Sequence, residues 1–312
     1  MEKFMSYKAK LLFNSLLVFA SISHVHASDE PVNVDTVGSY SYFSFGMESV
    51  SYEERLKDSV NAFGREIPFS IVTDGQVSSP TIRTGGLYHV TDTFDFSMDS
   101  SATFAPTADD EIWIMNIDLP EMNISGTNDV QKNDFTFTDA TTTGLIQFKY
   151  TEHLRFAAGA EFAMHTFKRS NITSLSQLVT VDASYTEEVV ANINLLTGLV
   201  YESGALVNSE NMFSAKALIG LPVWTDVLNS VNSDVSFNET GGYNFLTEAR
   251  YTFKFKKGFN LGFFATYRLT ERELQTKTLV TDVDGSDIKR KVSIPAATTS
   301  AFALGLSVAW DL

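Results

Sequence analysis

Beyond its first 27 residues the chain has three histidines, His89, His153 and His165. A histidine beside a carboxylate, facing a second acidic pair, can activate a water by general-base catalysis. Asp109-Asp110 is the sequence's one pair of adjacent aspartates. His165, Asp109 and Asp110 are therefore the candidate catalytic residues. The plainer reading of His165 is a hydrogen-bonded wall residue with no chemistry. The run Asp282-Val-Asp-Gly-Ser-Asp places Asp282, Asp284 and Asp287 like the opening of a calcium loop, which needs oxygen ligands. The position for a closing bidentate acid instead holds Lys289-Arg290-Lys291, and a solvated surface loop is the competing reading. There is no cysteine, so thiolate metal sites and disulfides are excluded. No glycine-rich phosphate loop and no nucleophile elbow occurs, and no cofactor is expected.

Any such residues need a scaffold, and the C-terminus shows its type. Phe302, Leu304, Leu306, Val308, Trp310 and Leu312 alternate with Ala303, Gly305, Ser307, Ala309 and Asp311. That is strict period two over a membrane-spanning length, running to the last residue. The same alternation recurs at Phe259–Leu269, Tyr243–Phe255, Phe213–Leu221, Ala191–Tyr201, Phe156–Met164, Ile146–Tyr150, Phe94–Phe104, Ile82–Val90 and Phe43–Met47. Short links follow Val90, Tyr150 and Phe255, and a somewhat longer one follows Tyr201. Long polar links cover about 53–78, 105–140, 168–187, 223–241 and 271–295. The terminal strand resembles that of Gram-negative outer-membrane β-barrel proteins, although Leu312 stands where that class usually ends in Phe. The resemblance implies a transmembrane antiparallel up-and-down β-barrel with short periplasmic turns and long extracellular connections. The count is about ten strands, or twelve if the alternation over 111–117 forms strands of its own. A soluble β-sandwich with one polar face is the alternative.

Composition agrees. Aromatic residues make up 12%, which suits interfacial girdles, and mean hydropathy is −0.03. No segment after the N-terminus is apolar for the ~18 residues that a membrane helix needs. Residues 1–27 read as a Sec signal peptide, leaving 28–312 as one barrel domain. Lys3, Lys8 and Lys10 are its basic region, Leu11 to Ile22 its apolar region, and Val25 and Ala27 occupy the −3 and −1 places of a small-residue cleavage site. Removing its three lysines and one glutamate takes the formal net charge from −15 to −17, which repels nucleic acid. The destination is the bacterial outer membrane. The partners expected are outer-membrane lipid and lipopolysaccharide, the barrel-assembly machinery, and an extracellular ligand or phage at the acidic loops.

If the apolar faces meet lipid, the opposite faces line the lumen. They carry Glu48, Arg83, Asp95, Asp99, Lys149, Arg155, Glu161, Lys216, Glu248, Arg250, Lys254 and Arg268. A ten-stranded barrel is nearly filled by its own side chains, so these charges should pair and plug it. Three functions remain open: a surface-exposed structural or interaction barrel, a narrow channel for small or apolar solutes, and a rim enzyme of the omptin or lipid-modifying kind.

Overall fold

Alternating apolar side chains bury one face of a strand only if that face meets lipid or a core, and this chain does each in turn. The computed structural model describes residues 38–312 except 179–182, 204–210, 234, 257–258 and 284–285. The expected leader 1–27 lies outside the described residues. The strands are β1 (Tyr40–Ala62), β2 (Arg65–His89), β3 (Phe94–Thr103), β4 (Ala108–Ile117), β5 (Thr127–Lys149), β6 (Leu154–Ser174) and β7 (Tyr185–Glu202). They continue as β8 (Asn211–Asn229), β9 (Ser236–Phe237), β10 (Gly242–Lys256), β11 (Phe259–Arg272), β12 (Gln275–Val283), β13 (Ser286–Ile294) and β14 (Ala296–Asp311).

All pairings are antiparallel, and β1 pairs with both β2 and β14, which closes the sheet. The barrel has ten staves. β3 and β4 share the third, because both lie between β2 and β5, β3 beside Thr81–His89 and β4 beside Phe69–Asp74. The alternation over 111–117 is therefore the upper half of one stave and adds no hairpin. The break between the halves holds Ala105 at φ 52°, a conformation that interrupts a ladder. Closure leaves no edge inside the bilayer, where an unpaired backbone group would be costly.

The expected lipid faces point outward. Phe45, Phe148, Phe156, Leu195, Leu221, Phe263 and Leu306 are all exposed, Leu306 by 62%, on the outside of a closed barrel. Such a belt is unstable in water and stable in acyl chains. Gly46 and Gly305 face inward side by side, and the inward ring of Phe264 lies over the hollow they leave.

The long polar links depart from the sequence reading in one respect: most of their length is strand. A transmembrane strand needs about 9–11 residues. β1 has 23, β2 has 25, β5 has 23 and β6 has 21, so these staves continue well beyond the apolar belt. The apolar parity inverts at the boundary while the strand's own facing continues unchanged. Below it Phe43, Phe45 and Met47 point out, whereas above it Val50 and Tyr52 point in and are buried. Likewise Phe148 and Ile146 of β5 point out, while Phe135 and Phe137 point in. Lipid outside calls for apolar out, and water outside calls for apolar in. Hence the upper half of the barrel contains a true hydrophobic core. Tyr52, Phe135, Phe137, Phe167, Val227 and Phe237 form it with Val292 and Ile294 of β13. β12 and β13 form a separate two-stranded sheet.

Candidate functional site

The inner face of β6 carries Arg155, Glu161, His165 and Arg169 in ascending order, all buried. Each anchors one layer of the interior. At the short-turn end Arg155 bonds Asp95 at 3.0 Å and Glu202 at 2.9 Å. Asp95 also accepts from Lys149 at 2.9 Å and lies 3.1 Å from His89 Nδ1, and the Tyr40 hydroxyl donates to Glu202. Four residues up β3, Asp99 takes Lys216 at 2.8 Å and the Tyr42 hydroxyl. Glu248 is surrounded by Arg83 at 2.7 Å, Arg250 at 3.1 Å and Lys216 at 3.6 Å. Arg83 also lies over the Phe264 ring and Arg250 over the Tyr42 ring.

In the next layer Glu161 binds Arg268 at 3.0 Å and accepts from Thr143, Asn194 and Asn244. Above it His165 Nδ1 lies 2.9 Å from Asp139. Glu48 is half-buried on the adjoining wall, with Asp139, Arg268, Arg83 and His165 as its charged neighbours. In the uppermost layer, beyond the apolar belt, Arg169 bridges Glu111 at 2.7 Å and Glu54 at 3.2 Å beneath the rings of Tyr52, Trp113 and Phe135. Burial pushes the Glu111 carboxyl up, but Arg169, by charge and hydrogen bonding, together with Asn133 and Trp113 outweighs it and holds Glu111 below the usual range. For Glu54 burial wins, and its carboxyl sits above that range. Arg272 closes this end by bonding Glu188 at 2.6 Å.

Of the twelve expected lumen residues, eleven face inward and take part in these layers. Lys254 lies in β10, but its side chain is outside the described residues. Sequence reasoning missed Glu202, Asp139, Tyr40 and Tyr42. Glu202 alternates with the outward Tyr201 and was accessible to the same parity argument. Asp139 falls in a segment taken for a link.

The candidate catalytic set does not converge. Asp109 and Asp110 are exposed in β4, and Asp110 pairs with Lys132. Asp109 lies opposite Phe135, four residues along β5 from Asp139, or about 13 Å at strand rise. His165 instead has Asp139 as its partner, beside a cavity of about 40 Å³ bounded also by Phe167, Asn194 and Thr299. A second cavity of about 40 Å³ lies among Tyr42, Asp99, Lys216 and Glu248. Of the candidate calcium ligands, Asp284 lies outside the described residues. Asp282 and Asp287 stand opposite each other in the β12–β13 hairpin, with their side chains outside the described residues. Among the described residues no group of three or more His, Asp or Glu side chains could hold a metal ion.

No protein-family model and no curated protein sequence matches the chain. Among solved structures it is similar to the outer membrane protease OmpT from Escherichia coli, at 8% identity over 91% of this chain and 100% of that one, with a TM-score of 0.53. OprG from Pseudomonas aeruginosa (9% identity, 90% and 100% covered, TM-score 0.32) and Ail from Yersinia pestis (9%, 88% and 100%, TM-score 0.26) align more loosely. The OmpT likeness is one of fold. Together with the closed ten-stave sheet and its apolar outer belt, it defines the class: this chain has the fold of an outer-membrane β-barrel. In that class the short turns face the periplasm and the extended end faces outward.

Proposed function

We propose that the protein is a surface-exposed outer-membrane barrel with a closed lumen, whose tall extracellular extension serves contact and recognition instead of transport. One observation carries this reading. The interior is stacked with paired charges from Asp95 to Glu161 and is capped by the aromatic core around Tyr52 and Phe135. A solute would have to break buried ion pairs or part a packed core, each costly. The remaining working surface is the outside of the extension, which exceeds what membrane anchoring requires. Outer-membrane lipid and lipopolysaccharide would surround the belt, and the alternating strand that ends at Trp310 would engage the assembly machinery.

The same closure weighs against a rim enzyme. His165 and Asp139 are a plausible base and orienter by distance. Both are buried, and the neighbouring cavity of about 40 Å³ holds a few waters, not a peptide or an acyl chain.

Planar-bilayer recording of the refolded protein tests the reading. No steady conductance is expected. A stable ion-conducting state in the unmutated protein would overturn it and put a narrow passive channel in its place.

A further inference from the structure

The extension leaves one strand edge unpaired. β1 pairs with β14 from Tyr40 only as far as Arg55, opposite Ala296, yet it pairs with β2 all the way to Ala62. Among the described residues Leu56–Ala62 therefore have a ladder on one side only. Their other side presents alternating N–H and C=O groups, of which the Ser59 N–H is already bonded to the Asp58 carboxylate, as a template for a further strand. The inner row at this edge is Leu56, Asp58, Val60 and Ala62: Leu56 and Ala62 are half-buried, Val60 is 41% exposed, and the Asp58 carboxylate between them is bonded to Lys291. At the tip Phe63 occupies φ 53°, unusual for an aromatic, and is 59% exposed.

The chain's own next strand cannot cover the edge. β13 precedes β14 with only Pro295 between. Continuing the β14 register would put Pro295 opposite Leu56. It would put Ile294 and Val292 opposite Lys57 and Ser59, on the outward face. Both side chains are instead buried in the aromatic core, which β13 would have to abandon. Among the described residues a side-chain contact, Lys291 to Asp58 at 2.6 Å, ties β13 to the edge. A second copy in the same membrane does not fit either. Staves tilt by roughly 35–45°, so two upright barrels would cross their β1 edges at roughly 70–90° and not run antiparallel.

We infer that Leu56–Ala62 is a docking edge for an extended peptide segment of another extracellular protein. That segment would have apolar residues over Leu56 and Val60, a polar residue between them over Asp58, and an acidic or polar residue opposite Lys57. Main-chain hydrogen bonds would supply affinity and the alternate pockets selectivity. The inference rests on the extension's being a recognition surface. It is read independently of conductance, so the lumen result and this one can fail separately.

The probe is a fluorescent heptapeptide with valine at the two positions that face Leu56 and Val60, serine at the position between them that faces Asp58, and threonine or glutamate elsewhere. Its control is the same peptide N-methylated at every second residue, which keeps the side chains and removes edge donors. Both are added to the full chain in nanodiscs, with anisotropy and amide hydrogen exchange as readouts. Before addition, the edge-facing amides of Leu56–Ala62 should exchange at least tenfold faster than amides of Tyr40–Arg55. The unmodified peptide should slow them at least tenfold, and the methylated one should not. Val60→Asp should weaken binding at least tenfold, with folding checked by unboiled gel mobility. Equal protection before any peptide, no slowing at saturating peptide, or equal action of the methylated peptide would each overturn the docking edge.

Discussion

Replacing Glu248 with glutamine would remove one negative charge from the middle of the barrel while keeping the side chain's shape. Glu248 is the shared acid of three cations: Arg83 at 2.7 Å, Arg250 at 3.1 Å and Lys216 at 3.6 Å. Lys216 would keep Asp99 at 2.8 Å. Among the described residues Arg83 and Arg250 would keep no carboxylate at ion-pair distance, only the neutral amide oxygen of the new glutamine and the aromatic faces of Phe264 and Tyr42. Breaking a buried pair from one side costs about 3–5 kcal/mol, because the survivor stays charged and desolvated. Two survivors put Glu248→Gln at the upper end of that range, a change of about a thousandfold or more in the folding equilibrium. Arg250→Ala should cost less, about 1–3 kcal/mol, since Glu248 would retain two cations. The assay is equilibrium urea unfolding of the refolded barrel, followed by tryptophan emission and by the mobility of unboiled samples. If Glu248→Gln unfolds within about 1 kcal/mol of wild type, or no earlier than Arg250→Ala, the paired-charge account of the interior is wrong.

The remaining predictions concern the extension and the wall. Glu111 is held below its ordinary range, so it stabilises the fold above that range, about pH 4.3, and the contribution fades as pH falls through the lowered value. The stability gap between wild type and Glu111→Gln should thus be constant near neutral pH and shrink on acidification; a gap that widens in acid refutes the Arg169 pairing. Gly305→Val places a Cβ 2.5 Å from the Phe264 ring and 2.6 Å from Gly46, so refolding yield should drop and the unfolding midpoint should fall by about 1–3 kcal/mol. Leu306→Arg puts a charge in the lipid belt and should cost about 2–4 kcal/mol in bilayers, whereas Ser59→Arg on the water-exposed extension should cost nearly nothing. Equal effects from the last two would remove the distinction between belt and extension.

Period two was legible in the sequence because a strand's side chains alternate whatever their surroundings. Residues such as Phe45, Phe263 and Leu306 therefore showed which face is outward in the membrane, and by parity which charges turn inward. The link lengths gave ten staves. The nature of the links was not legible. Val50 and Tyr52 continue β1 with the apolar parity opposite to that of Phe43 and Phe45. A search for one constant apolar face stops at that reversal and reads a loop. The reversal arises because the medium outside the barrel changes from lipid to water, a boundary the chain crosses without any local mark. Pairing was equally hidden. Glu161 meets Arg268, and Glu248 meets Arg83, only because the sheet closes on itself. Alternation put those charges inside, but which cation reaches which acid depends on register and on distance across the lumen. The register of β5 on β6 set Asp139 directly opposite His165, in place of Asp109 and Asp110, and the start of β14 at Ala296 left Leu56–Ala62 with one side unpaired.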